Sequence, residues 1–388
     1  MANFFGVSMR VAIVTESFLP QINGVTNSVL RVLETFRELG FEAIIIAPTT
    51  INKSHLGFEV FTSPNIPVVQ FPVAMPNAKL GSILREFNPD VIHVAAPFLL
   101  GAKAIKWGAK NSVPTVAVYQ TDVAGYLERY GLGFARPAFQ QLVAHFHTGA
   151  TLNLAPTNLA ADYLRSLGLE NVRVWGRGVD LELFNPRHAI LSEALEFRRE
   201  HAPGGELLVG FVGRLALEKQ VQRMAGLFGV PGVRFVIIGD GPERKRLEAL
   251  FAGQPVNFTG ALNGLELAQA YAALDVFVHF GTEETFGQTI QEALASGNLV
   301  VAPNRGGPTQ LITNGVNGIL VDPNEPAGYR EVLEDLVAGN LDREQFSKLA
   351  VQSVQGRSWA ANNAKLVSYY LEAAQVVGAS RVEQIELV

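Results

Sequence analysis

The sequence predicts an α/β protein made of two doubly wound parallel-sheet domains. Its 388 residues exceed the size at which a single hydrophobic core usually stops growing. Short apolar runs alternate with helical stretches along the chain, as expected for parallel strands that are buried on both faces. A segment containing Gly and Pro, residues 176–186, separates two halves that repeat this pattern.

The candidate strands divide between these two halves. Those of the first half are Val11–Thr15, Ala43–Ala47, Val68–Phe71, Val91–Val94, Thr115–Tyr119, Thr151–Ala155 and Val172–Val174. Those of the second half are Leu207–Val212, Phe235–Ile238, Val256–Thr259, Val276–His279, Leu299–Ala302 and Ile319–Val321. A boundary near residue 186 gives domains 1–185 and 186–356, and each sheet should bind ligands at the carboxyl ends of its strands.

Composition excludes several classes of protein. With 48% hydrophobic and 17% charged residues, the chain should pack rather than remain disordered, and its net charge of −5 disfavours nucleic acid as the main partner. The absence of cysteine excludes disulfides and thiolate chemistry. Because no apolar run spans a bilayer and Met1–Ser8 does not resemble a secretory signal, we expect a cytoplasmic protein with at most peripheral membrane contact.

The most informative segment is ETFGQTIQE, residues 284–292, in which two carboxylates stand eight positions apart. An apolar strand precedes it and Ala293–Ala295 continue it as a helix, so Glu284 should precede the helix and Glu292 should lie about two turns inside. The free N–H groups and positive dipole end of a helix N-terminus attract phosphate. The segment therefore predicts a site for a nucleotide sugar.

This pattern resembles the E-x7-E signature of family 4 retaining glycosyltransferases with the GT-B fold, especially actinobacterial GDP-mannose-dependent α-mannosyltransferases acting on glycolipids. The resemblance extends from Met9 to about Leu371 and includes MRVAIVTESFLPQINGV, VGRLALEK, VIIGDGP and RGGPTQLITNGVNGILVDP. It implies two Rossmann-like domains facing a cleft. Domain 1–185 would take the acceptor, with a C-terminal helix, 357–388, returning to it, and domain 186–356 would bind the nucleotide-sugar donor.

The resemblance assigns roles to the residues of the second half. Arg214 and Lys219 would bind the donor diphosphate, where fixed cations stabilise the charge that develops on the leaving group. Taken in isolation, the two residues would instead be ordinary solvated cations. Glu284 would contact donor-sugar hydroxyls and Glu292 the ribose diol. The diphosphate would also meet backbone N–H groups of Phe286 and Gly287.

Three residues of the first half are further candidates. Gly24, between the first strand and a helix, would allow the backbone to approach a phosphate or sugar closely, or would simply form a turn. Gln120 stands where many family members have a His that contacts the donor sugar, and an amide does not titrate near neutral pH. Asp122 would act in catalysis by accepting a hydrogen bond from sugar or acceptor, or would cap the following helix.

Residues at the junction between the two halves, and two glycines of the second half, are weaker candidates for the site. Arg177 would reach the ligand cleft from the first domain, whereas Asp180 should stabilise a turn. Gly306 and Gly307 should allow either a close backbone approach to ligand or a tight turn.

No metal site is expected. His145 and His147, two apart in a helix, point in different directions, and a structural role is favoured for them. The chain has no Asp-x-Asp motif, which the GT-B fold does not require. The segment GDGP, residues 239–242, lacks the third Gly of a dinucleotide fingerprint, so no NAD site is expected either.

One surface feature suggests a membrane. Lys103, Lys106 and Lys110 share a helical face beside Trp107, which would suit either an anionic lipid surface or an ordinary solvated helix. If the face binds lipid, the protein would associate with the inner face of the plasma membrane.

The function that follows is transfer of mannose from GDP-mannose to a glycolipid-type acceptor with an α-linkage, without a cofactor. Retention, the GDP-mannose donor and the lipid acceptor are implied by the resemblance alone. Two alternatives remain open: a transferase using UDP-glucose or UDP-sulfoquinovose, and a sugar-nucleotide 2-epimerase that releases free sugar.

Overall fold

The computed structural model describes residues 8–21, 23–48, 52–68, 71–74, 79–120, 136–325 and 327–378. These residues form two compact units. The first lies within Met1–Gly178 and Trp359–Val388, and the second is Val179–Ser358. Each unit contains its own parallel sheet with helices on both faces, which is the predicted α/β class.

The first unit is built on an eight-stranded sheet in the order β10-β9-β8-β7-β1-β2-β4-β3. All neighbours are parallel except the short β3 and β4. A separate antiparallel pair is formed by β5 and β6. The strand bounds are β1 (Arg10–Val14), β2 (Glu42–Ala47), β3 (Ser54–His55), β4 (Phe58–Thr62), β5 (Asn65–Val68), β6 (Phe71–Ala74), β7 (Val91–Val94), β8 (Thr115–Val118), β9 (Leu152–Ala155) and β10 (Val172–Val174).

The first of the helices that cover this sheet begins and ends at recognisable capping residues. The side chain of Asn23 accepts hydrogen bonds from the backbone N–H groups of Val25 and Thr26, both at 3.0 Å, and so caps the first helix. Gly40 ends that helix in a left-handed conformation, φ 71°. The helices are α1 (Gly24–Leu39), α2 (Leu80–Phe87), α3 (Leu99–Asn111), α4 (Arg136–His147) and α5 (Asn158–Ser166).

The second unit has a six-stranded, all-parallel sheet in the order β13-β12-β11-β14-β15-β16. Its strands are β11 (Leu207–Val212), β12 (Val233–Ile238), β13 (Val256–Gly260), β14 (Val276–Val278), β15 (Leu299–Pro303) and β16 (Ile319–Val321). In β14, Val276 and Val278 pack into one core and Phe277 into another. Both faces are therefore buried, which explains the continuous apolar runs of the sequence.

The helices of the second unit lie between these strands. They are α6 (Ser192–His201), α7 (Arg244–Leu250), α8 (Gly264–Ala273), α9 (Gln288–Ala295), α10 (Pro308–Leu311), α11 (Ala327–Val337) and α12 (Arg343–Val354). Single 3₁₀ segments cover Pro186–Ile190, Leu217–Lys219 and Val221–Leu227.

The long C-terminal helix α13 (Trp359–Val377) packs on the first unit. The Tyr370 hydroxyl lies 2.8 Å from Nδ1 of His93 on β7, and the indole N–H of Trp175 donates to the carbonyl of Asn362 at 3.1 Å. Asn363 donates to the carbonyl of Arg31 on α1 at 3.0 Å. These polar contacts fix the helix against a core that its buried Leu, Val and Tyr side chains complete.

Sequence reasoning placed one strand of the first sheet wrongly. The predicted Val68–Phe71 strand is not part of that sheet, because Val68 and Phe71 belong to the antiparallel β5 and β6, and residues 69–70 lie outside the described residues. The strand that pairs with β2 is β4. It alternates buried and exposed positions near the sheet edge, so it lacks the continuous apolar run of the central strands.

Candidate functional site

The second sheet reverses its strand order between β11 and β14. These strands are neighbours, while the chain proceeds from β11 to β12 on one side and from β14 to β15 on the other. In an open parallel sheet, ligands bind at the carboxyl ends of the strands at such a reversal. Residues 213–219 follow β11 and residues 279–287 follow β14, so the predicted donor-site residues converge at this edge.

Lys219 and Glu284 are in direct contact at the edge, although 65 residues separate them. The Lys219 Nζ lies 2.5 Å from Glu284 Oε2, and the two side chains are 24% and 18% exposed. The pair is thus partly buried but still accessible. It places a cation for phosphate next to a carboxylate that can accept hydrogen bonds from sugar hydroxyls.

Arg214 is exposed and is held by a residue that sequence reasoning missed. Its Nη2 lies 2.5 Å from Oε1 of Glu218, whose side chain is only 5% exposed. The helical i,i+4 rule does not predict this pair, because Arg214 lies in the loop before the 3₁₀ segment Leu217–Lys219. Glu218 orients Arg214 while part of the guanidinium remains open to solvent.

Glycines of two neighbouring loops shape the carboxyl edge. A Cβ at Gly239 would lie 2.0 Å from the carbonyl oxygen of Gly213, and a Cβ at Gly241 would lie 2.4 Å from that of Leu215. The GDGP segment that is not a dinucleotide fingerprint thus supports the loop that carries Arg214.

Gly306 and Gly307 support the loop that carries Glu284. The Gly307 N–H donates to the carbonyl of Glu284 at 2.7 Å, and a Cβ at Gly307 would lie 2.4 Å from the carbonyl oxygen of Phe286. A Cβ at Gly306 would lie 2.9 Å from the Glu284 carbonyl oxygen. The close backbone approach predicted at these glycines is therefore an approach to the 284–286 backbone.

Helix α9 begins directly after this loop. Gly287 has φ 99°, a conformation that favours glycine, and it forms the turn between the buried Phe286 and the start of the helix at Gln288. The N-cap residue is this glycine, which has no side chain to accept hydrogen bonds from the first turn. The backbone N–H groups of the first turn are therefore positioned for an anion.

The position of Glu292 differs from the expectation. It is the fifth residue of α9, so it lies little more than one turn inside the helix rather than two, because the left-handed Gly287 delays the helix start. Its carboxylate accepts hydrogen bonds from the Tyr271 hydroxyl at 3.2 Å and from the Gln288 amide at 3.3 Å. These contacts fix the carboxylate beside the helix N-terminus.

His279 is a second residue that sequence reasoning missed, although it directly follows β14. It is 1% exposed, and its Nε2 lies 3.9 Å from Oε2 of Glu284. Burial and the charge of Lys219 lower its pKa to about 4, against the opposing effect of Glu284. The imidazole is therefore neutral near pH 7, and Lys219 is the cation that pairs with Glu284.

The first unit brings three of its candidates together. Gln120, two residues after the end of β8, accepts a hydrogen bond from Nη2 of Arg177 at 2.9 Å. Gly24, the first residue of α1, borders the same guanidinium, since a Cβ there would lie 2.6 Å from Nη1. Asp122 lies outside the described residues.

The remaining candidates have structural surroundings. Asp180 accepts a hydrogen bond from the N–H of Leu183 at 3.0 Å, as its predicted role in a turn requires. The Nδ1 of His147 lies 2.8 Å from Oδ1 of Asn153, and burial lowers its pKa to about 4. His145, in contrast, is exposed. In the part of the chain that the structure describes, no helix is long and apolar enough to cross a bilayer.

Two parallel α/β units, one of them with Lys, Arg and Glu side chains around a helix N-terminus, define a glycosyltransferase of the GT-B fold. Residues 22–183 match the family described as Glycosyltransferase Family 4, and residues 193–352 match Glycosyl transferases group 1. The chain belongs to glycosyltransferase family 4.

Similar proteins cover nearly the whole chain. A GDP-mannose-dependent alpha-mannosyltransferase of Mycobacterium tuberculosis is 44% identical, over 93% of this chain and 96% of its own length. A protein of the same description from Corynebacterium glutamicum is 42% identical, over 94% and 89%. A GDP-mannose-dependent alpha-(1-6)-phosphatidylinositol dimannoside mannosyltransferase of Mycobacterium tuberculosis is 28% identical, over 85% and 88%.

Solved structures agree on the fold. Sucrose-phosphate synthase from Thermosynechococcus elongatus superposes with a TM-score of 0.77 at 20% identity, over 94% of this chain and 98% of that chain.

The packing of Gly307 against Phe286 predicts the effect of a single methyl group. Gly307→Ala should displace the 284–287 loop, because overpacking costs on the order of 1–3 kcal/mol, and should weaken nucleotide binding roughly tenfold. Gly226→Ala is the matched control, since a Cβ there meets nothing within 4 Å. Isothermal titration with GDP and UDP measures the effect. Equal affinities in the two variants would contradict the account of this loop.

Proposed function

We propose that this protein transfers mannose from GDP-mannose to a glycolipid-type acceptor, with retention of the α configuration. The single observation that carries the proposal is the contact between Lys219 and Glu284 at the carboxyl edge of β14. A cation that can bind phosphate, next to a carboxylate that can accept hydrogen bonds from hydroxyls, supports a donor in which a diphosphate is joined to a sugar. Relatives over 40% identical, named as GDP-mannose-dependent mannosyltransferases, support the choice of donor.

Each group has a defined task in this reaction. Lys219 and Arg214 bind the diphosphate together with the N–H groups of Phe286 and Gly287, and they stabilise its growing charge as the anomeric C–O bond breaks. Glu284 binds mannose hydroxyls and Glu292 the ribose. The contacts of Lys219 with Glu284 and of Arg214 with Glu218 must loosen or be shared when the diphosphate arrives.

The retaining step needs no covalent enzyme intermediate. The acceptor oxygen attacks the anomeric carbon from the side on which GDP departs, and a phosphate oxygen of the departing GDP takes the acceptor proton. One C–O bond forms and another breaks on the same face of the anomeric carbon, so the configuration is kept. The donor is the substrate, and the step requires no further cofactor.

The acceptor proposal is a phospholipid-based glycolipid. A relative named for phosphatidylinositol dimannoside supports this chemistry. The exposed Lys106 and Lys110 on α3 offer positive charge to an anionic membrane surface, whereas Trp107 is half-buried. Its indole Nε1 would lie 3.2 Å from a Cβ at Gly81, so the ring packs on α2 instead of anchoring in lipid.

The donor assignment can be tested by binding and transfer. GDP and GDP-mannose should raise the melting temperature more than UDP or UDP-glucose, since a ligand stabilises the folded state by mass action. Radiolabelled mannose should appear in a lipid extract. A UDP-only shift would favour the UDP-sugar transferase, and release of free sugar without transfer would favour the epimerase.

The contact of Lys219 with Glu284 predicts matched losses of activity. Lys219→Met and Glu284→Gln should each lower kcat/KM roughly 100-fold, because each removes a charged group from the reacting donor. Lys245→Met, an exposed lysine on α7, is the control and should keep full activity. The kinetics should be followed with GDP-mannose as the varied substrate. Wild-type turnover in both site variants would exclude the proposed donor site.

The lysines of α3 predict salt-sensitive membrane binding. Lys106→Gln combined with Lys110→Gln should reduce cosedimentation with vesicles containing phosphatidylglycerol, and wild-type binding should fall between 50 and about 300 mM salt. Lys245→Gln with Lys348→Gln removes two exposed lysines of the second unit and should change little. Absence of wild-type cosedimentation at low salt would refute the peripheral contact. It would not refute mannosyl transfer, which can be measured separately with a detergent-dispersed acceptor.

A further inference from the structure

Both the nitrogen and the oxygen of the Gln120 side-chain amide form hydrogen bonds inside the first unit. Its Nε2 donates to the carbonyl of Ala95, just after β7, at 2.7 Å, and its Oε1 accepts from Nη2 of Arg177 at 2.9 Å. The side chain is 7% exposed, so it is shielded from competing water. Because the nitrogen must face the Ala95 carbonyl, the oxygen must face Arg177, and the orientation of the amide is fixed.

The guanidinium of Arg177 also lies next to the backbone of Gly24. A Cβ at Gly24 would lie 2.6 Å from Nη1, 3.1 Å from Nη2 and 3.3 Å from Cζ of Arg177. The guanidinium therefore occupies space at the start of α1 that the Cβ of any other residue would fill. Gln120 and Gly24 therefore both border this half-buried, permanently charged side chain.

We propose that Gln120 and Gly24 are positioning residues for Arg177, and that Arg177 binds a phosphate group of the substrate. A guanidinium presents a planar fork that matches phosphate oxygens, and holding it in place lowers the entropy cost of binding. The identity of the substrate rests on the proposed function. Because Arg177, Gly24 and Gln120 all belong to the first unit, we assign the phosphate to the headgroup of a phospholipid acceptor.

The proposal explains how this chain works with an amide where an imidazole is expected from the family resemblance. The neutral amide of Gln120 accepts a hydrogen bond from Arg177 and donates one to the Ala95 carbonyl at the same time. Because an amide does not titrate near neutral pH, both hydrogen bonds are kept there. A Glu at position 120 would instead direct a carboxylate at the Ala95 carbonyl and neutralise Arg177. The amide is thus specifically suited to hold the cation without cancelling its charge.

Binding measurements with four variants test the assignment. Arg177→Gln should weaken binding of its phosphate ligand about tenfold, and Arg177→Lys should recover part of that loss. Gln120→Met, which keeps the size but removes both hydrogen bonds, should weaken it about threefold. Arg173→Gln is the control, because Arg173 is an exposed residue of β10 paired with Glu372. Melting temperatures and circular dichroism establish that each variant is folded.

Two ligands distinguish the source of the phosphate. In Arg177→Gln, affinity for dihexanoyl phosphatidylinositol should fall in isothermal titration while affinity for GDP is unchanged. A loss of affinity for GDP instead would overturn the assignment to the acceptor. Unchanged affinity for both ligands in Arg177→Gln would overturn the proposal. If Arg177→Gln lowers the affinity and Gln120→Met does not, the positioning role of Gln120 would be overturned. Neither readout requires mannosyl transfer, so failure of the proposed function is seen separately, as absence of turnover in the wild type.

A double variant tests whether Gly24 acts through Arg177. Gly24→Ala should reproduce most of the Arg177→Gln loss, because the new methyl group displaces the guanidinium. Gly24→Ala combined with Arg177→Gln should then be no weaker than Arg177→Gln alone, since residues that act through one group are not additive. Additive losses would show that Gly24 has an independent role and would overturn this part of the proposal.

Discussion

The contact between Lys219 and Glu284 is the interaction on which the functional account of this protein depends. Lys219 lies in the loop after β11 and Glu284 in the loop after β14, and these strands are neighbours only because the sheet reverses its order between them. The topology therefore brings together a cation and a carboxylate from distant parts of the sequence. The surrounding glycines, the neutral His279 and the start of α9 all serve to fix this edge of the sheet.

The contact also sets an energetic condition for substrate binding. With side chains 24% and 18% exposed, the two groups form neither a solvated surface pair nor a dry buried one. Exposed pairs are worth roughly 0–1 kcal/mol, whereas removing one partner of a buried pair costs several kcal/mol. A diphosphate that approaches Lys219 can therefore compete with Glu284, provided that sugar hydroxyls then satisfy the carboxylate. A ligand with only one of these two parts would leave one charge poorly compensated.

The sequence predicted the α/β class, most strands and the segment around Glu284, because continuous apolar runs and a Gly turn before a helix are local signals. It did not predict β4, whose alternating pattern near the sheet edge resembles no central strand. It placed Glu292 one turn too deep, since the left-handed conformation of Gly287 is not readable from residue type alone. Glu218 had no sequence signal, because its burial and its contact with Arg214 depend on the course of the loop after β11.

Contacts across long sequence distances were the hardest to foresee. Gln120 was recognised as a departure from the family pattern, yet its partners Ala95 and Arg177 come from the ends of other elements of the first unit. The 3.6-residue and two-residue periodicities report which face of an element is buried, not which loops meet at a sheet edge. The pairing of charged residues in a site is therefore a property of topology.

A crystal structure of the protein with bound GDP-mannose tests the central claim most directly. The account predicts a diphosphate oxygen within hydrogen-bond distance of Lys219 Nζ and of the Gly287 N–H. It also predicts sugar hydroxyls on Glu284 and a Lys219–Glu284 separation longer than 2.5 Å. Donor density elsewhere, with Lys219 still bound to Glu284, would contradict it.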